Sequence, residues 1–275
     1  KKSPLPNTVR EVAPRVNTGD DPERRPQELL DSVPTNRRQG YDARALIRHV
    51  VDNGDFFEMR ELYASGLITG FARLDGWSVG VIGSDPMSKA GAMDGNAADK
   101  YTHFLDLCDT FNLPLLIFLD MPGFMLGSHA ERIATMRRGA RALIASAECQ
   151  VPKIEFMVRK SYGVAADAPN SIGLPNSINL RFGWPSGEWG GIPIEGGVAA
   201  AYRREIAEAD DPDAHRAEIE DRLLRLRSPF RAAHRGDVVD LIDPRETRAL
   251  ACRFINLAQP KLAELAQRSK RAVRP

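Results

Sequence analysis

One local pattern occurs twice in succession in this chain, and that repeat limits what the chain can fold into. Leu113 to Leu119 is an apolar, strand-sized run, followed by the turn Pro122-Gly123 and a helix expected from about Ala130. Val151 to Val158 is a second apolar run, Ser161-Tyr162-Gly163 a second turn, and Val164-Ala165-Ala166 the expected opening of a short helix. Strands alternating with helices favour parallel pairing through right-handed crossovers, which places the chain in the α/β class. Two such units side by side set backbone N–H groups, freed at turns and helix starts, around one crevice. Such a crevice suits a reaction whose main need is to stabilise an oxyanion.

The flanking segments read less regularly. Residues 1–36 hold Pro4, Pro6, Pro14, Pro22, Pro26 and Pro34 among charges, and cannot bury enough surface to fold alone. They are expected to form an extended arm with one helical turn at Glu28-Leu29-Leu30, leaving residues 37–267 as the compact domain. Asp42 can cap a helix carrying Leu46, Ile47, Val50 and Val51, which Asn53-Gly54 ends. Residues 67–74 and 77–83 read as strands joined by Asp75-Gly76, a strong hairpin signal. A helix over 97–111 presents Tyr101, Phe104, Leu105 and Cys108 as a core face. Beyond the second turn come a strand over 177–182 ended by Trp184-Pro185, and a glycine-rich stretch over 187–197. Helices over 197–206 and 214–226, a strand over 238–242 and a final helix over 246–267 follow, with residues 268–275 expected to fray.

Charge and cysteine usage exclude some classes. Thirty-eight Lys and Arg against 37 Asp and Glu give a formal net charge of +1, so there is no overall basic footprint for nucleic acid. No apolar run reaches membrane-spanning length. Cys108, Cys149 and Cys252 are too scattered and too few for a disulfide framework. They read as buried thiols in a reducing compartment, and with no apolar signal core at the amino terminus a cytoplasmic location is expected. None of the five His sits in a catalytic constellation, and no metal site is expected. Arg137-Arg138 read as solvated cations or subunit contacts, Lys160 as a loop-orienting residue, Trp184 and Trp189 as packing residues, and Glu195 as a helix-start carboxylate.

Taken in order, longer stretches add a resemblance. They are DDPERRPQELLDSVP, YDARALIRHVVDNGDFFE, DPM followed by AGAMDGNAADK, DMPGF, RRGA, VPKIEFMVRKSYG, WP and RGDVVDLIDPRETR. Together they resemble the carboxyltransferase (β) subunits of biotin-dependent acyl-CoA carboxylases of the propionyl-CoA carboxylase type. The resemblance implies a crotonase-like (ClpP/crotonase) superhelix of ββα units. Members of that family generally carry two such domains, and this chain resembles the carboxyl-terminal one. A second carboxyltransferase chain is therefore expected to supply the amino-terminal-type domain. Biotin carboxylase and a biotin carboxyl carrier subunit would complete a hetero-oligomer acting on an acyl-CoA.

Carboxyl transfer from carboxybiotin to the α-carbon of a coenzyme A thioester builds negative charge on two oxygens. Losing one oxyanion donor costs on the order of 3 kcal/mol. Biotin can act as the base, so no His or carboxylate dyad is required. The family turn reads Gly-Gly-Ala, with the N–H groups of the second Gly and the Ala as donors to biotin. The matching donors here are Val164 and Ala165, after Gly163. Valine is a departure, because it is excluded from positive φ and adds two methyl groups to a tight turn. Asp167 matches a position lining the acyl pocket, and reads equally as an ordinary first-turn Asp favoured by the helix dipole. Gly123 and Phe124 are expected to join Gly163 and Asp167 in binding substrate or biotin, DMPGF serving chiefly as a wall for the neighbouring turn. Ala168-Pro169-Asn170 and the stretch from Gly187 to Pro193 depart from the family pattern near the expected pocket. Two other readings stay open: a decarboxylase running the same half-reaction backwards, and a non-catalytic scaffold.

Overall fold

The computed structural model describes residues 5, 6, 8–167, 178–191, 194 and 197–268. Among them one sheet organises the molecule. Its strands are β1 (Phe57–Met59), β2 (Leu67–Leu74), β3 (Trp77–Ser84), β4 (Leu115–Met121), β5 (Lys153–Tyr162), β6 (Asn179–Gly183), β7 (Glu188–Gly190) and β8 (Asp240–Leu241). The order is β1-β2-β3-β4-β5-β6-β8, with β7 pairing separately to the end of β5. The β1–β2–β3 ribbon is antiparallel, its hairpin turning at Asp75-Gly76; from β3 onward every pairing is parallel. That change is the ββα pattern expected from the sequence.

Alternation along β4 explains why its apolar run has no polar face. Leu115, Ile117, Leu119 and Met121 enter one core with the helix α2 (Gly95–Thr110). Leu116 and Phe118 enter a second core with α1 (Ala43–Val50) and α10 (Thr247–Ala266). A strand buried on both faces must read as a continuous apolar run. On the second face Phe118, Phe156 and Phe182 stack across β4, β5 and β6 with ring centroids 5.9 Å apart at each step. Such aromatic neighbours hold parallel strands in register. Cys108, Cys149 and Cys252 are buried, as expected.

The helices start where the sequence provides caps. Asp42 accepts from the N–H groups of Arg44 and Ala45 to begin α1, and Asp94 accepts from Ala97 N–H at 2.8 Å to begin α2. Two helices break where the sequence reading runs on. The helix expected from Ala130 is two helices, α3 (Ser128–Arg132) and α4 (Thr135–Glu148), parted at Ala134, whose φ is 54°. The expected 197–206 helix is also two, α6 (Gly197–Ala201) and α7 (Arg203–Ala207), with Tyr202 outside helical geometry between them. Apolar periodicity does not sense a one-residue break, because the side chains before and after it keep similar spacing. The sequence predicts neither β1 nor β7, since strands of three residues exist only through their pairing partners, nor the six-residue helix α9 (Pro229–His234). Between α5 (Gly163–Asp167) and β6, and past Arg268, several sequence readings lie outside the described residues, as do Ile192, Pro193 and Glu195. The remaining helix, α8 (Pro212–Leu226), begins on the cap Asp211.

Arg248, fully buried in α10, ties the arm to the sheet. Its guanidinium donates to Asp21 O at 2.8 Å, Val50 O at 2.7 Å and Asp52 Oδ1 at 2.9 Å. Asp52 in turn accepts from Thr18, Asp75 N–H and Gly76 N–H, so one buried ion pair joins arm, hairpin, α1 and α10. Arg248→Met leaves the Asp52 charge buried without its cation. We expect a loss of about 3–5 kcal/mol in urea unfolding. A second expectation concerns acid. Burial raises the Asp94 carboxyl, but the Lys89 ammonium and the α2 cap outweigh it and hold the group below its free value of 3.8. Its contribution is therefore present above that value and lost as pH falls through the lower, folded one. Asp94→Asn keeps the cap but not the charge. Its stability should fall less steeply than the wild type's between pH 4 and pH 2 in urea titrations (an interval set by carboxylate titration at about pH 4).

Candidate active site

The parallel partners β4 and β5 end together, and the chain leaves both at the same edge of the sheet. A buried ion pair fixes that point: Arg159 Nε donates to Asp120 Oδ2 at 3.0 Å, and Lys160 N–H to Asp120 Oδ1 at 3.0 Å. The Asp of DMPGF is thus a bracket between strands. Gly123, at φ 119°, approaches the backbone carbonyl of Tyr162, and its own carbonyl accepts from Met93 N–H at 3.0 Å. Phe124 lays its ring against Gly139 of α4, where a Cβ would fall 2.6 Å from it. Both residues stand behind the second turn rather than in the cleft described next.

At the end of β5, Gly163 turns the chain with φ 62°, and α5 follows. The positive φ falls on the glycine alone; Val164 does not share it. Valine is therefore free of backbone strain at this position, which answers the main objection to it. Ala165 and Ala166 are buried in the core and pin the short helix, whereas Val164 is 58% exposed. The N–H groups of Val164 and Ala165 lie in the first turn and have no acceptor among the described residues.

This turn opens on a cleft of about 1230 Å³. Ser161, Gly163, Val164 and Asp167 form one wall; Arg181, Trp189, Arg227 and Asp237 contribute to the others. Arg181 is buried and donates to Glu155 Oε2 at 2.9 Å, while its other nitrogens stand 3.5 Å from Ala166 O and 3.7 Å from Asp167 Oδ1. Burial pushes the Glu155 carboxyl up, and Arg181 opposes that push. Arg227 holds its guanidinium 4.5 Å from the Tyr162 ring centroid. Arg235 pairs with Asp237 at 2.6 Å. A smaller hollow of about 690 Å³ lies between the amino-terminal segment and the end of α10, shares no lining residue with this cleft and is walled largely by apolar side chains such as Leu5, Val12 and Ala263.

Sequence reasoning thus located the turn but not the cations around it. Arg181 carried a readable signal, a charge inside the otherwise apolar run ended by Trp184. Arg227 and Arg235 carried none, being distant in sequence and brought in by α8 and α9. Arg138, read as solvated or as a subunit contact, is partly exposed and also bonds Asn96 Oδ1 at 2.9 Å and Asp99 at 3.2 Å, while Arg137 is exposed. Trp184 and Trp189 pack in the interior as expected, Trp184 donating to Thr247 at 3.0 Å.

This arrangement has close counterparts. The transcarboxylase 12S crystal structure, a hexamer assembly with methylmalonyl-coenzyme A and methylmalonic acid bound, superposes with a TM-score of 0.83 at 38% identity, over 98% of this chain and 50% of that one. A single-chain, multi-domain long-chain acyl-CoA carboxylase gives 0.75 at 32% identity, over 88% of this chain and 24% of that one. The fold is that of the crotonase-like carboxyltransferases. In sequence, the chain is 41% identical over 245 residues to the propionyl-CoA carboxylase carboxyltransferase subunit of Haloferax mediterranei, covering 89% of this chain and 47% of the relative. It is also 41% identical to the methylmalonyl-CoA carboxyltransferase 12S subunit of Propionibacterium freudenreichii subsp. shermanii, covering 89% and 46%. The methylmalonyl-CoA decarboxylase subunit alpha of Veillonella parvula is 38% identical, covering 89% and 46%. The Carboxyl transferase domain family matches residues 2–273, and the chain belongs to that family. It spans about half the length of these curated relatives.

The turn geometry yields a direct test. Gly163→Ala forces an L side chain into the left-handed region, and we expect it to lose about 1–2 kcal/mol in denaturant unfolding. Val164→Gly, which relieves no such strain, should not gain stability.

Proposed function

We propose that the chain is a carboxyltransferase half-subunit of a biotin-dependent acyl-CoA carboxylase. It would move a carboxylate from carboxybiotin to the α-carbon of an acyl-CoA, together with a second carboxyltransferase chain. The observation that carries this reading is the α5 turn, which presents two first-turn N–H groups on a cleft large enough for a bulky reactant. Residues 1–36 would be an arm laid over the domain formed by 37–267, and the complex would work in the cytoplasm with a biotin carboxylase and a carrier. No helix among the described residues is long and apolar enough to cross a membrane.

The residues fit the group. Val164 keeps the backbone N–H that a glycine would supply, in unstrained geometry, and its methyl groups stand in the open part of the cleft. Carboxybiotin, when delivered, supplies the activated carboxyl group and, after carbon dioxide departs, a base. The N–H groups of Val164 and Ala165 would hold the biotin carbonyl oxygen, with Gly163 allowing close approach. Asp167 would border the acyl group, with Arg181 beside it, while Gly123 and Phe124 back the turn.

A second reading is favoured by the decarboxylase relative from Veillonella parvula. The same donors, serving the reverse half-reaction, would make this chain part of an acyl-CoA decarboxylase. The test is co-expression with candidate carboxyltransferase partners, followed by assays of biotin-dependent carboxylation and decarboxylation on acetyl-, propionyl- and methylmalonyl-CoA. Val164→Pro removes one donor at a helix position that tolerates proline. We expect it to lower kcat by about 10²–10³-fold, while Val164→Ala, which keeps the donor, should stay within about tenfold of wild type. Equal activity of the proline variant and the wild type would remove the turn from the chemistry.

A further inference from the structure

We propose that Glu188 is a positioning residue for the Gly163–Asp167 turn, acting through the hydroxyl of Tyr162 and itself held by Arg37. The glycine-rich stretch that contains Glu188 departs from the family pattern and has no part in the function proposed above. Its place in the fold gives it one. β7 pairs with the last three residues of β5, setting Lys160, Ser161 and Tyr162 opposite Glu188, Trp189 and Gly190. Tyr162 is fully buried and immediately precedes Gly163. Its hydroxyl donates to Glu188 Oε2, and Arg227 covers its ring. Arg37, the first residue past the arm, closes the set, with its nitrogens 2.6 Å and 2.7 Å from the two Glu188 oxygens and one 3.4 Å from the Tyr162 hydroxyl. Segments near residues 37, 162, 188 and 227 thus meet at one side chain.

The turn needs such an anchor. Gly163 has the freest backbone of any residue type, and a helix of five residues does not hold its own geometry in water. The buried methyl groups of Ala165 and Ala166 fix how deep α5 sits but not how its first residues are aimed. The hydroxyl bond to a carboxylate is charge-assisted and directional, and it acts one residue before the pivot. Arg37 keeps the carboxylate in place, so the segment where the domain begins helps to aim the N–H groups of Val164 and Ala165.

The structural half of this inference stands on geometry alone; its catalytic consequence rests on the carboxyltransferase reading. Amide hydrogen exchange of the full chain separates the two. In Tyr162→Phe, which keeps the ring, and in Glu188→Ala, exchange over 163–167 should quicken by about tenfold or more, while peptides from β4 and β6 stay as in wild type. Unchanged exchange over 163–167 in both variants overturns the proposal. So does a uniform rise across the sheet, which would mark general loosening. In the active complex the same variants should lower kcat by about 10–100-fold with KM for acyl-CoA within about twofold, and Arg37→Lys should retain more activity than Arg37→Met. An unchanged kcat overturns the catalytic consequence. If the wild-type complex transfers no carboxyl group, the carboxyltransferase reading fails and the exchange result still decides the positioning claim.

Discussion

The parallel junction of β4 and β5, closed by Asp120 and Arg159, is the constraint on which the rest of the structure depends. Both side chains are nearly inaccessible. The charges are matched by neighbours: Lys160 N–H donates to the Asp120 carboxylate, Gln39 O accepts from Arg159 at 2.8 Å, and the Tyr41 ring lies 5.0 Å under the guanidinium. Tyr41 itself is pushed well up by burial and by the nearby Asp120 carboxylate, so it stays a neutral phenol beneath the cation. A buried pair of this kind adds little net stability compared with well-packed apolar side chains. Its value here is register. The pairing shifts between Leu119 and Met121, and beyond that irregularity Met121 lies opposite Ser161, which brings the two exit turns level.

Much of this was legible in the sequence because it is local. The continuous apolar runs of β4 and β5, the Asp75-Gly76 hairpin and the cap Asp42 each act within a few residues, and each formed where the spacing placed it. What escaped notice is assembled from afar. β1 and β7 are strands only because β2 and β5 offer them partners, and Ala134 breaks a helix whose periodicity runs on unbroken. The candidate site divides in the same way. The turn after Val158 could be found from an apolar run, a glycine and a family resemblance, whereas the surrounding arginines come from β6 and from the residues that end α8 and α9. DMPGF, expected to act chiefly as a wall for the neighbouring turn, does so through named contacts: Asp120 is a bracket between strands and Phe124 a plug against Gly139.

The valine at position 164 shows how one substitution is read differently in sequence and in space. In sequence it looks like damage to a glycine-rich turn. In space the left-handed residue is Gly163, so valine takes a helical conformation that β-branched side chains accept with only a small entropic loss. The backbone donor is preserved and only the side chain changes. With more than half of its surface exposed, that side chain adds bulk to the cleft and spares the core.

The electrostatics of the cleft narrow what can serve there as an oxyanion donor. Three arginines line it, which at first suggests formal positive charge as the stabilising element. Yet Arg181 is taken up by Glu155, Arg235 by Asp237, and Arg227 lies on the face of Tyr162. Each cation is already engaged, and re-aiming one toward a reactant would break a contact made in the resting fold. The backbone N–H groups at the start of α5 have no such prior engagement among the described residues, and they need no reorganisation when charge develops on a nearby oxygen. On the proposed reading the arginines therefore shape and neutralise the walls, and the fixed dipoles of the turn do the stabilising.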